Sequence, residues 1–203
     1  MTEKELKNQL PEFILHSKIC SLVITDLEGR YLFVNEVFKK RFGFMNIDFI
    51  GQPFWITIYP EDVEKCNIAS YQCITNPNQS FKVQVRKPDN LAGDFYWTEW
   101  EFSLFTDENK NPIGILCLGH DISQEKQTYK QLKYSEAKLR AILESSTDSN
   151  ILISPDYKIL SFNKTADEKS KISFGKPLKE KADIWEYVLP KDEEDFYKDS
   201  QKH

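Results

Sequence analysis

No stretch of this 203-residue chain approaches the roughly 20 consecutive apolar residues that a membrane-spanning helix needs. Its opening, MTEKELKNQL, is charged where a secretion signal would be apolar, so the expected location is cytoplasmic. Basic residues are not in excess either, with 27 Lys and Arg against 32 Asp and Glu and a net charge of −5. That balance argues against nucleic acid, whose phosphates call for clustered cations. There is no Gly-rich phosphate loop, no GxSxG elbow, no HExxH, and no phosphoacceptor histidine box or ATP lid. Acidic runs such as Glu193-Glu194-Asp195 read as solvated charge. No catalytic centre is therefore expected within these residues. Cys20, Cys66, Cys73 and Cys117 never form a CxxC pair and lie mostly in apolar surroundings, which favours reduced, buried thiols over disulfides or metal ligands.

What is present describes a globular chain long enough for one full domain and part of another, with 40% hydrophobic and 29% charged residues. Leu6, Leu10, Phe13 and Ile14 fall at helical spacing, interrupted by Pro11, and predict a broken amphipathic helix whose stripe needs a partner. SLVITDLEGRYLFVNE predicts a β-hairpin turning at Gly29. The period then changes, giving a short helix from Glu36 stopped by Gly43, another over Ile47 to Ile50, and a proline-headed helix from Pro60 to about Tyr71. Three strands follow. Phe81, Val83 and Val85 alternate with polar residues. FYWTEWEFSLF carries Tyr96, Thr98, Trp100, Phe102 and Leu104 on one face. IGILCLGHDIS is apolar on both faces, as a central strand would be. Two strands, several short helices and three strands imply an α+β fold, an antiparallel sheet with helices grouped on one side and the N-terminal helix available for the other.

Three stretches in this order resemble the PAS family: ITDLEGRYLFVNEVFKKRFGF, IGQPFWITIYPEDVEKC, and EWEFSLFTDENKNPIGILCLGHDIS with its closing Asp121-Ile122-Ser123. The resemblance covers residues 19–123 and implies a five-stranded antiparallel sheet flanked by short helices around a small cavity. Residues 1–18 would be the preceding helix. Residues 124–146 are dense in helix formers, with Tyr129, Leu132, Leu139 and Leu143 on a heptad seam that Glu136 interrupts. That segment resembles the signalling helix that follows PAS domains. Beyond it, SNILISPDYKILSFNKTADEKS repeats the first domain's opening, with Asn163 in the place of Asn35. Gly175-Lys176-Pro177 is matched to Gly51-Gln52-Pro53, and Tyr187-Val188-Leu189-Pro190-Lys191-Asp192 to the segment from Ile58 to Asp62. Residues 147–203 then read as the front of a second PAS unit that stops before its closing strands, as in a longer sensor protein.

The resemblance implies a sensory module that binds a small ligand or partner and relays a change through the linker helix to an output domain, as in bacterial sensor histidine kinases. A homodimer through the N-terminal and linker helices is expected; a ligand-free dimerisation scaffold is the alternative. Phe54, Trp55, Trp100 and Phe102 are candidates for a pocket lining, with plain core packing as the other reading. His120 is read as a structural or cavity-lining residue. Haem is disfavoured because residues 60–71, where the family's ligand helix falls, contain no histidine. Flavin is disfavoured because the Asn-Cys-Arg run of flavin-binding relatives is missing, and no cofactor is expected. Asp121 is assigned to the signal relay together with Leu132 and Leu139, since an acid before a helix suits both a cap and the helix dipole.

Overall fold

The structure, a computed structural model, describes residues 3–90 and 92–188. Leu189 to Asp192, the acidic run at Glu193 and His203 lie outside the described residues. The chain divides into two compact units, the first ending at Thr128 and the second beginning at Tyr129.

In the first unit, α1 (Glu3–Asn8) and α2 (Glu12–Leu15) flank Pro11, as expected. The hairpin of β1 (Ser21–Thr25) and β2 (Tyr31–Val34) turns where Asp26 accepts the backbone N–H groups of Glu28 and Arg30, and Gly29 takes φ +80°. α3 (Glu36–Arg41) begins under Asn35, whose buried amide accepts from the backbone of Leu22 and Phe38 and donates to the Cys20 carbonyl. One side chain thus joins the first strand, the hairpin's end and the helix start. The short helix expected over Ile47 to Ile50 is not there. A 3-10 turn at Gly43–Met45 precedes it, Asn46 takes a left-handed conformation, and the Asp48 carboxylate holds the Ile50 N–H in an Asx turn that competes with helix.

Further 3-10 turns at Phe54–Thr57 and Pro60–Asp62 lead into α4 (Val63–Thr75), four residues longer than its expected end. β3 (Ser80–Pro88), β4 (Phe95–Thr106) and β5 (Pro112–Asp121) complete a fully antiparallel sheet in the order β2-β1-β5-β4-β3. The central strand is β5, as its two apolar faces required. The α+β expectation therefore holds.

Both faces of the sheet are covered. On one, Leu6 and Leu10 pack with Leu22, Ile24, Phe33 and Phe105. On the other, Phe38, Phe42 and Phe49 meet Tyr31, Val85 and Trp100 in an aromatic-rich core with edge-to-face ring contacts. The stripe of the N-terminal helix finds its partner within the chain, and Phe13 and Ile19 remain exposed. From Ser123 the chain continues as α5 (Ser123–Ser145), which has no buried residue. Among the described residues no helix is long and apolar enough to cross a membrane.

The second unit holds the two-stranded sheet β6 (Ile151–Ile153) and β7 (Ile159–Phe162), followed by α6 (Lys164–Phe174) and a 3-10 turn at Ile184–Tyr187. Asn163 accepts from the backbone of Asn150 and Ala166, as Asn35 does from Leu22 and Phe38. The backbone bridge Lys158 to Asp183 repeats that of Arg30 to Pro53. This corrects the matched register: Gly175 ends α6 with φ +68°, whereas the bonds that Gly51 and Gln52 exchange with Tyr31 are made by Lys181 and Ala182 with Ile159. A left-handed lysine stands where a glycine was sought, and the lure was the helix-ending glycine six residues earlier.

The packing of α1 yields a direct expectation. Leu6→Ala should lower the unfolding free energy of the first unit by about 2–4 kcal/mol in urea denaturation, since it opens a cavity against the sheet; unchanged stability would mean that the helix does not dock there.

Candidate functional site

Between the sheet's inner face and α4 lies a cavity of about 250 Å³, bordered by the β1–β2 turn from Asp26 to Gly29. Its origin is legible in α4. From α4 the lining residues are Cys66, Asn67, Ser70, Tyr71 and Ile74, and the only buried one of them is the small Cys66, so the helix meets the sheet there without filling the gap. Val85, Trp100, Phe102, Ile115 and Cys117 form the sheet side of the lining. Burial pushes the Cys66 thiol up to about 11 and Cys117 well above the ordinary value, so both are neutral walls.

Of the sequence candidates, Phe54, Trp100 and Phe102 line this cavity. Trp55 does not; it is 48% exposed and touches Phe54 edge-on from outside. His120 does not either. On β5 the inward residues are Ile115, Cys117 and Gly119, and the two-residue period turns His120 outward with Leu116 and Leu118. It borders an outer groove with His16, Arg41 and Asp121. Trp100 lies flat over Gly119, where a Cβ would stand 2.3 Å from its ring, and its indole N–H donates to Thr98 Oγ1 at 2.8 Å.

The residue that sequence reasoning missed is Lys87. Continuing the Phe81, Val83, Val85 alternation by one step puts it on the buried face, and it is only 3% exposed. Its Nζ donates to the Thr57 carbonyl at 3.3 Å and to Thr57 Oγ1 at 3.2 Å, and stands 4.6 Å from the centre of the Trp100 ring. Phe38 and Phe42 present their rings from 5.6 and 5.4 Å. Thr57 is in turn 2.7 Å from the Tyr31 hydroxyl, which donates to the Phe54 carbonyl. Burial lowers the Lys87 pKa to about 8. The alternation that could have revealed this amine was set aside because lysine normally marks the wet face.

One residue away, Arg86 turns outward and clamps the cavity's frame. The buried Asp62 carboxylate accepts from the Arg86 backbone N–H and Nε, each at 2.8 Å, and from Lys65 at 2.7 Å. These charge-assisted bonds hold Asp62 well below the usual carboxylate range and fasten the start of α4 to β3.

At the far end of β5, Asp121 Oδ1 accepts the Ser123 N–H at 2.8 Å while Oδ2 accepts from Arg41 at 3.2 Å. The Ser123 hydroxyl accepts the Trp97 N–H at 2.9 Å, and Ile122 N–H donates to the Trp97 carbonyl. Arg41 also pairs with Asp89 and stacks 3.7 Å over Tyr96. The first turn of α5 is therefore tied to α3 and β4. Farther along, Leu132 and Leu139 are 56% and 59% exposed.

The buried amine sets a pH dependence. The folded pKa of about 8 lies below the ordinary 10.5, so above pH 8 the unfolded chain keeps a proton that the folded one sheds. Lys87 therefore disfavours folding below about pH 8, and the penalty fades as pH rises through that window. Lys87→Met should be more stable than the native protein near pH 7.5, with the difference shrinking by on the order of 3 kcal/mol by about pH 10.5 in paired urea titrations. A gap that stays constant with pH would show that this amine is not buried as described.

No curated protein matches the chain. Among solved structures it is similar to the PAS domain of a protein from Colwellia psychrerythraea, 22% identical with a TM-score of 0.49 over 59% of this chain and 98% of that one. It is also similar to a sensory box histidine kinase/response regulator from Burkholderia thailandensis, 18% identical with a TM-score of 0.46 over 60% of this chain and 91% of that one. A third is Drosophila melanogaster Cycle PAS-B with bound ethylene glycol, 14% identical with a TM-score of 0.43 over 50% and 98%. A family model described as PAS fold matches residues 15–127, more than half of the sequence, and the chain belongs to that family.

Proposed function

We propose that the first unit is a cytoplasmic sensor whose inner cavity binds a small molecule, and that occupancy is relayed through the Asp121 junction to α5 and on to an output module, with a histidine kinase as the expected output. One observation carries this: the strands that wall the cavity with Trp100 and Cys117 are those whose ends hold the first turn of α5 through Trp97 and Asp121. A ligand that binds two arrangements of that wall unequally shifts the helix with it. The exposed seam of Tyr129, Leu132, Leu139 and Leu143 supports pairing of α5 with a second copy as the form in which the shift is passed on. Residues 147–188 are proposed as the opening of a second unit of the same kind, on the strength of Asn163 and the Lys158 bridge.

Two measurements test this. Native mass spectrometry of the protein taken from its producing cells should show a small-molecule adduct that denaturation releases; bare polypeptide, together with no saturable thermal shift across a metabolite panel, would favour the ligand-free scaffold. Leu132→Glu combined with Leu139→Glu should turn a dimer into a monomer in light scattering and leave the first unit folded. Unchanged dimerisation would rule out the helix-pairing route.

A further inference from the structure

Among the described residues Lys87 is the one cation that lines the cavity. Two of its three N–H groups are used by Thr57, and among the described residues no carboxylate pairs with it. Asp62, the buried acid just before α4, is committed to Arg86 and Lys65. The alternation of β3 would accept an apolar residue at this position, as at Val83 and Val85, with no desolvation penalty. An unpaired amine therefore lines an otherwise mostly apolar chamber. Other polar residues of the lining are Asn67 and Ser70 of α4 and, at the β1–β2 turn, Asp26 and Glu28.

Resting on the reading of the cavity as a ligand site, we propose that its ligand is a small monocarboxylate with an apolar or aromatic body, the carboxylate paired with Lys87 Nζ and the body lying between Trp100 and Phe102 on the sheet and Cys66 of α4. The third N–H of Lys87 supplies a charge-assisted bond to the acid, and the anion in turn compensates the buried ammonium. A second carboxylate directed at the β1–β2 turn would meet Asp26 and Glu28, so the site disfavours diacids. The volume limits size. At roughly 30 Å³ per water, the space equals about eight waters, so the ligand has on the order of ten non-hydrogen atoms.

Calorimetric titration of the whole chain at pH 7 with phenylacetate, hexanoate, phenylacetamide and adipate tests this. Phenylacetate or hexanoate should bind, with phenylacetamide and adipate weaker than their monoacid counterparts by roughly 10- to 100-fold, the worth of one hydrogen bond to a charged partner. Lys87→Met should lose a similar factor for the acids and little for the amide. Equal affinity for acid and amide in the native protein, or unchanged acid affinity in K87M, overturns the carboxylate assignment and leaves the ligand cavity standing. If none of the four binds, the carboxylate assignment falls, and the cavity reading is decided separately by the native mass spectrum. Should K87M fail to fold, the acid-against-amide comparison in the native protein still decides the outcome.

Discussion

A five-stranded antiparallel sheet with apolar residues on both faces has to be covered twice, and the rest of this structure follows from how each covering is achieved. One face takes Leu6 and Leu10 from the N-terminal helix, close enough to bury Leu22 and Ile24 completely. The other takes α3, the aromatic turns and α4. There the covering is incomplete, because α4 approaches the chamber with the small Cys66 and Ser70 where larger side chains would close the gap. Packing density near that of organic crystals is the rule in interiors, so a chamber of about 250 Å³ lined by Trp100 and Phe102 is a departure from it. The Asp62 to Arg86 clamp keeps the chamber from collapsing by fixing where α4 begins relative to β3.

The same economy of strands connects chamber and linker. Gly119 lets the Trp100 ring lie on the β5 backbone, and two residues later Asp121 accepts the first-turn N–H of α5. Because a Cβ at position 119 would stand 2.3 Å from the ring, only glycine lets Trp100 rest directly on β5. Arg41 adds α3 to the junction by pairing with Asp121 and stacking on Tyr96, so the helix start is braced from three elements. Such bracing suits a two-state element, since contacts of this kind are made or broken together.

How much of this could be read beforehand divides along physical lines. The succession of strands and helices, the Pro11 break, the Gly29 turn and the central place of β5 depend on local signals that a sequence displays: period and turn chemistry. The α+β class followed from their order. Trp100 and Phe102 were legible as an inward pair because β4 alternates cleanly. His120 was misplaced because β5 is apolar on both faces, and such a strand does not announce which parity points in. Lys87 was missed because its burial depends on Thr57, thirty residues away, and on the rings of Phe38 and Phe42 at α3 and Trp100 on β4. No local pattern encodes that convergence. The register of the second unit was misjudged where a left-handed lysine replaced glycine, a conformation that only the backbone shows.

The central claim is that the chamber and the start of α5 respond as one body. Backbone amide spectra of isotope-labelled protein, recorded while phenylacetate is added, test it most directly. The account expects the amides of Thr57, Lys87 and Trp100 to move and those of Ile122, Ser123 and Lys126 to move with the same saturation midpoint. Chamber amides that shift to saturation while the junction amides stay still would contradict it.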